Sequence, residues 1–115
     1  MSDIEAPAVT VLELQRILDS GRKIFLLDVR TAGEFEAGRL PFTDILVPHD
    51  VLSARIEEIP KDRETEIYCF CRSGRRSAIT TTFLRGLGYE KVFNITGGII
   101  AWKDAGFDLI SGPAE

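Results

Sequence analysis

Apolar residues along the chain follow two alternating spacings. A capping box at Thr10 and Glu13 opens an apolar pattern with helical spacing, which Gly21 ends. Residues 23–29 then form a nearly continuous apolar run, which is typical of a strand covered on both faces. The start of the chain therefore predicts a helix followed by a buried parallel strand.

The same alternation continues to the C-terminal part. Thr31 and Glu34 form a second capping box, which predicts a short helix ended by Gly38. The remaining predicted elements are strands at 44–48, 66–70 and 91–94, and helices at 51–59, 77–87 and from Gly97–Gly98 through Trp102. Strands that alternate with helices predict an α/β fold with a mainly parallel sheet and helices on both faces.

Length and composition predict one folded domain. The 115 residues are 44% hydrophobic and 28% charged, which is typical of a globular chain. We expect a single domain over residues 1–115, with an ordered core at about 5–110 and short flexible termini. With 14 basic and 18 acidic residues the net charge is −4, which argues against a nucleic-acid partner.

Targeting and metal-binding signals are weak. The longest uncharged stretch, residues 92–102, is far shorter than a membrane span, and no signal or transit pattern opens the chain, so we predict no membrane partner and a cytoplasmic location. Two cysteines and one histidine are too few for a four-ligand zinc site. We therefore expect neither a metal nor another cofactor.

One loop concentrates the reactive residues. In parallel sheets ligands bind beyond the carboxyl ends of the strands, and segment Cys71–Ser77 follows a predicted strand there. It has three arginines with no acidic residue nearby: Arg72, Arg75 and Arg76. Arginines and a helix N-terminus favour the thiolate of Cys71, and N–H groups turning around Gly74 can converge on an anion. Cys71 is therefore the predicted nucleophile.

Five motifs together resemble those of single-domain rhodaneses. They are Leu27-Asp28-Val29-Arg30, Glu34-Phe35 with Gly38, Cys71-Arg72-Ser73-Gly74-Arg75-Arg76-Ser77, Gly88-Tyr89 and Gly97-Gly98-Ile99-Ile100-Ala101-Trp102. The resemblance covers nearly the whole chain and implies a rhodanese-like fold with five parallel strands. It also implies that Cys71 accepts a sulfane sulfur as a persulfide and passes it to a nucleophile.

The resemblance and the charge of the loop suggest substrates and site residues. The expected donors are small sulfur anions, thiosulfate or related persulfides, and the expected acceptors are cyanide or a thiol. The candidate substrate-binding residues are Arg72, Ser73, Gly74, Arg75, Arg76 and Ser77. Asp28 and Arg30 are candidate pocket residues, although an ion pair or capping interaction that shapes the loop is the favoured interpretation for them.

Two other functions remain open. The first is a non-enzymatic persulfide carrier that relays sulfur to a protein partner. The second is a phosphatase or arsenate reductase, which in related proteins uses a cysteine, five residues and an arginine. Cys71 and Arg76 have four intervening residues, and only Cys69 with Arg75 has five. Because Cys69 falls inside a strand, the sulfurtransferase interpretation is preferred.

Four further features are assigned mainly structural roles. Cys69 is interpreted as a buried core thiol, with a reversible disulfide to Cys71 as the alternative. His49 is expected in a solvated loop and Trp102 in the core. Residues 39–45 are bulkier than the corresponding family segment, which leaves one pocket wall and the acceptor preference in doubt.

Overall fold

Five short strands form one parallel sheet in the computed structural model, which describes residues 6–113. The strands are β1 (Ala8–Val9), β2 (Phe25–Asp28), β3 (Ile45–Leu46), β4 (Ile67–Phe70) and β5 (Val92–Ile95). They pair in the order β1-β5-β4-β2-β3, and every pair is parallel. The predicted α/β sheet is thus confirmed. The predicted flexible termini lie outside the described residues.

Four α-helices connect and cover the strands. They are α1 (Val11–Asp19), α2 (Ala32–Ala37), α3 (Arg75–Gly86) and α4 (Gly98–Asp104). Both predicted capping boxes are present. The Thr10 and Thr31 hydroxyls accept hydrogen bonds from the amides of Glu13 and Glu34, whose carboxylates accept in return from the threonine amides. These local bonds explain why both helix starts could be predicted.

Two predicted elements differ from the structure, and one strand was not predicted. The expected helix at 51–59 is a 3₁₀ segment, Ser53–Glu58, which Arg55 interrupts with φ −117° and ψ 26°. The strand expected at 44–48 is only Ile45–Leu46, and the edge strand β1 has no pattern of its own because it contains two residues. In each case the element is too short for periodicity to define it, and pairing with the sheet decides the outcome.

Helix α3 begins at Arg75, two residues before the predicted start at 77. Gly74 is its N-cap, with φ 101°, a left-handed conformation that favours glycine. Arg75, Arg76 and Ser77 therefore belong to the first helical turn and not to a loop. The connection between β4 and α3 is only residues 71–74, which brings the helix N-terminus close to Cys71.

The core lies on both faces of the sheet. One cluster packs beneath α3 and the 3₁₀ segment and includes Leu84, Leu52 and both cysteines. The other packs beneath α1 and α4 and includes Leu14 and Trp102. Helices on both faces are thus confirmed, and the Cys71 loop projects from the carboxyl end of a central strand.

Within residues 6–113 no helix has the length and apolar character needed to cross a membrane.

Candidate functional site

Cys71 lies at the point where β4 ends and the chain turns toward α3. Its Sγ accepts a hydrogen bond from the backbone N–H of Gly74 at 3.1 Å, and the Ser77 hydroxyl oxygen lies 3.4 Å away. The residue is only 1% exposed. The sulfur therefore sits almost fully enclosed at the base of a tight turn.

Polar contacts change the acidity of this thiol. Burial raises the pKa of Cys71, but the Ser77 hydroxyl and the backbone amides of Ser77, Gly74 and Ser73 lower it by hydrogen bonding to the sulfur. The net pKa lies below its ordinary value. The turn therefore favours the thiolate, which is the nucleophilic form of cysteine.

Asn94 supports both groups that contact the sulfur. This side chain at the carboxyl end of β5 accepts a hydrogen bond from the Ser77 hydroxyl, and its Nδ2 donates to the Gly74 carbonyl at 3.1 Å. Asn94 is 8% exposed. No role for Asn94 was predicted, although a polar residue at the end of an apolar strand was an available signal.

The start of α4 holds the loop from the opposite side. The amides of Ile99 and Ile100 donate to the carbonyls of Cys71 and Arg72 at 2.9 and 3.1 Å. Gly98 permits this approach, because a Cβ there would collide with the Cys71 carbonyl oxygen and lie 2.7 Å from that of Arg72. The Gly97–Gly98 pair thus matters for the geometry of the Cys71 loop as well as for starting a helix.

The three arginines have different environments. Arg72 and Arg75 are exposed, and Arg76 is half-buried. The Arg76 guanidinium donates through two nitrogens to the carboxylate of Glu34, at 2.9 and 3.0 Å. The expectation that no acidic residue lies near the basic segment is therefore wrong, because α2 brings Glu34 to it from 42 positions away.

Asp28 and Arg30 form a buried ion pair. Arg30 donates to both carboxylate oxygens of Asp28, with a shortest distance of 2.7 Å, and to the Gly38 carbonyl. They are 0% and 3% exposed. Burial raises the pKa of Asp28, and contacts with Arg30 lower it without cancelling the rise. The favoured interpretation as an ion pair is confirmed, while a role in the pocket remains a prediction.

Cys69, His49 and Trp102 occupy the environments expected from sequence. Cys69 is fully buried among apolar residues, which raises the pKa of its thiol to about 12. His49 is exposed in the loop after β3. Trp102 is buried, and its indole N–H donates to the Asp108 carbonyl at 2.7 Å. None of the three contributes a group to the immediate surroundings of Cys71 Sγ.

The atypical segment 39–45 is tied to the C-terminal part of the chain. Arg39 forms an antiparallel bridge with Ile110, and its guanidinium stacks over the Phe35 ring and donates to the Gly112 carbonyl. Phe42 is 59% exposed. Phe42 thus lies at the surface, whereas Leu40 of the same segment is buried in the core. A changed acceptor preference stays a prediction.

Comparisons with known proteins define the class. The family model for the rhodanese-like domain matches residues 10–105. A sulfurtransferase of Allochromatium vinosum is 39% identical over 97 residues, which cover 84% of this chain and 87% of that protein. The chain belongs to the rhodanese-like domain family. The sulfurtransferases among its relatives support a transferase activity for this chain.

Other relatives are longer proteins. A putative sulfur carrier protein of Bacillus subtilis is 29% identical over 84% of this chain and 50% of its own length. The crystal structure of a thiosulfate sulfurtransferase from Pseudomonas aeruginosa superposes with a TM-score of 0.84 and 30% identity, over 96% of this chain and 21% of that one. Rhodanese-like domains thus occur in both sulfurtransferases and sulfur carrier proteins.

Proposed function

We propose that this protein is a sulfurtransferase in which Cys71 carries the sulfur. The observation that supports the proposal most directly is the contact shell of Cys71 Sγ, where amides of the turn and the Ser77 hydroxyl point at one sulfur atom. Neutral donors of this kind stabilise a thiolate without a metal or a general base. They suit a sulfur that is anionic both before transfer and after its release.

The first half-reaction forms a persulfide. The Cys71 thiolate attacks the sulfane sulfur of thiosulfate or of a persulfide donor, and a bond forms between the two sulfurs. The donor's S–S bond breaks, and its electron pair leaves with sulfite or with a thiolate. Exposed Arg72 and Arg75 are placed to attract the anionic donor, and the turn amides stabilise the negative charge.

The second half-reaction returns the enzyme to its starting state. A thiophilic acceptor, such as cyanide or a thiol, attacks the outer sulfur of the persulfide. The bond between the two sulfurs breaks, and the electron pair returns to Cys71 Sγ. The Ser77 hydroxyl and the Gly74 amide then stabilise the leaving thiolate.

Thiosulfate and cyanide provide the test. We expect thiosulfate to add the mass of one sulfur atom to the protein, and cyanide then to release thiocyanate. Cys71→Ser should abolish both signals. Cys69→Ala is the matched control and should retain both, because Cys69 lies in the core with a pKa raised to about 12.

The same assay separates the alternatives. A persulfide that forms but transfers poorly to cyanide would favour a carrier that relays sulfur to a protein partner. Absence of a persulfide with every sulfane donor would contradict both sulfur-based functions. The phosphatase or arsenate reductase interpretation requires a thiolate at Cys69, and the burial that raises its pKa to about 12 opposes one.

A further inference from the structure

Glu34 connects α2 to the start of α3. Its carboxylate accepts two hydrogen bonds from the Arg76 guanidinium, one on each oxygen. The same carboxylate accepts from the amide and hydroxyl of Thr31 at the N-cap of α2. Bonding to Arg76 and Thr31 outweighs partial burial and lowers the pKa of Glu34 to about 2. Glu34 is therefore a fixed negative charge at neutral pH.

Arg76 contacts this carboxylate and also lies near the Cys71 sulfur. Its pKa is raised mainly by the hydrogen bond to Glu34, against an opposing effect of burial, and to a smaller extent by the nearby Cys71 sulfur. The bidentate geometry directs two guanidinium nitrogens at Glu34. Much of the positive charge that would otherwise act on Cys71 and its substrate is thus neutralised.

The other charged groups around the sulfur are also compensated. Asp28 and Arg30, at the end of β2, form a buried pair, and Cys69 on β4 is neutral because of its raised pKa. Among the described residues, Cys71 Sγ therefore accepts hydrogen bonds from neutral donors, and the Glu34–Arg76 and Asp28–Arg30 ion pairs each have zero net charge. Arg72 and Arg75 are exposed, where water and salt weaken their attraction for anions.

This balance of charge matters because the two donor classes carry different charges. Attack of a thiolate on thiosulfate brings three negative charges together, whereas attack on a persulfide brings together two at most. In the persulfide reaction Cys71 Sγ bonds to the outer sulfur, the donor's S–S bond breaks, and the electron pair leaves on the donor's thiolate. A site of low net positive charge does little to offset the repulsion between negative charges. That repulsion is larger for attack on thiosulfate than for attack on a persulfide, so the site disfavours thiosulfate more strongly.

We propose that Glu34 is a specificity-determining residue that, by neutralising Arg76, favours singly charged persulfide donors over doubly charged thiosulfate. The proposal rests on the proposed sulfurtransferase function and names the donor class for that site. Glu34 acts through Arg76 and is therefore a positioning residue for that arginine.

Glu34→Gln is the test variant, and Glu36→Gln is its matched control. Glutamine can replace glutamate in a capping box, so the start of α2 is preserved while the charge is removed. Glu36 lies on the same helix, is exposed, and changes the net charge by the same amount. Circular dichroism and thermal unfolding of both variants establish that they are folded.

Two measurements are expected to change in Glu34→Gln and not in Glu36→Gln. The pH profile of Cys71 alkylation by iodoacetamide should shift about one unit lower, because Arg76 is no longer neutralised. The ratio of kcat/KM for thiosulfate to kcat/KM for cysteine persulfide, a singly charged donor, should rise about tenfold. Arg76→Met should shift both quantities in the opposite direction, which keeps the test decisive if Glu34→Gln does not fold.

The outcomes distinguish this proposal from the one on which it rests. Active enzyme with an unchanged donor ratio in Glu34→Gln would overturn the specificity role, even if the alkylation profile shifted. An equal change in Glu36→Gln would overturn it as well, by showing a general effect of net charge. Wild-type protein that takes sulfur from neither donor would instead overturn the proposed function, and the specificity role with it.

Discussion

Ser77 and Asn94 are 17 residues apart and meet beneath Cys71, where the Ser77 hydroxyl donates to Asn94 Oδ1. The same hydroxyl lies within reach of Cys71 Sγ. A hydroxyl has one proton, so Ser77 bonds either Asn94 or the sulfur at a given moment. Asn94 also bonds the Gly74 carbonyl. One side chain from β5 thus positions both groups that contact the Cys71 sulfur.

Ser77→Ala should make the Cys71 thiol less acidic. A hydrogen bond to a charged group contributes about 1.5–3 kcal/mol, which corresponds to a rise of about one to two pH units in the thiolate pKa. The fraction of thiolate at neutral pH then falls. The pH dependence of iodoacetamide alkylation, followed by mass spectrometry, measures the pKa directly.

Ser73→Ala is the control for this substitution. The Ser73 side chain is exposed, and it is the backbone amide that contacts the sulfur, so alanine retains the interaction. We expect its alkylation profile to match that of the wild type. Equal profiles for Ser77→Ala and the wild type would show that the hydroxyl does not stabilise the thiolate.

Gly98→Ala should disturb the Cys71 loop from the side of α4. The added Cβ would contact the backbone carbonyls of Cys71 and Arg72, which cannot move without moving the loop. Gly106→Ala is the control, since it also has a positive φ but nothing lies within 4 Å of its Cβ. In both variants the left-handed conformation should lower the free energy of unfolding by about 1–2 kcal/mol. Gly98→Ala alone should show a further loss of unfolding free energy and a higher pKa of the Cys71 thiol.

Urea unfolding and the alkylation profile test this pair of glycine variants together. Similar losses of unfolding free energy in the two would mean that the loop accommodates the extra methyl group. A normal alkylation profile in Gly98→Ala would mean that the contacts between α4 and the loop are not needed to position the sulfur.

Arg30→Met should destabilise the fold strongly. It leaves the carboxylate of Asp28 buried without its partner, and loss of one member of a buried pair typically costs about 3–5 kcal/mol. Arg55→Met, which breaks the exposed pair with Glu58, should cost less than about 1 kcal/mol. Chemical unfolding of both variants measures the difference, and comparable losses would contradict the structural role of the Asp28–Arg30 pair.

The pH dependence of Arg30→Met has a defined sign. Burial raises the pKa of Asp28, and contacts with Arg30 lower it. Without the Arg30 guanidinium, the pKa of Asp28 should therefore rise further. A carboxyl whose pKa is higher in the folded state favours folding at low pH, and this advantage is lost as the pH rises through the folded-state pKa. The stability deficit of the variant relative to wild type should therefore be larger at pH 7 than at pH 4. A deficit that is independent of pH would contradict this explanation.

Cys69 should remain unmodified when Cys71 reacts. Its thiol is buried in the core with a pKa raised to about 12, so it contains almost no thiolate at pH 8. Excess iodoacetamide should add one carbamidomethyl group, on Cys71. Mild peroxide should oxidise Cys71 without forming a Cys69–Cys71 disulfide. Peptide mapping that finds such a disulfide would instead support the alternative interpretation of Cys69 as a partner in a reversible disulfide.

Much of the fold could be predicted because its signals are local. The capping boxes at Thr10 and Thr31 depend on residues three positions apart, and the buried strands are apolar runs bounded by charges. Strand β1 and the 3₁₀ segment at Ser53–Glu58 were not predicted correctly, because pairing or packing against distant residues determines their conformation. Elements with short local patterns, such as these two, could therefore not be predicted from sequence.

The sequence by itself determined the α/β class, the choice of Cys71 as the predicted nucleophile and its place after a buried strand, since these depend on neighbouring residues. Only the tertiary structure decided which groups surround the sulfur and how its charge is balanced. Asn94 arrives from β5 and Glu34 from α2, each brought to the Cys71 loop by the order of strands in the sheet. Hydrogen bonds and ion pairs act over a few ångströms, so their partners are defined by the folded arrangement and not by spacing along the chain.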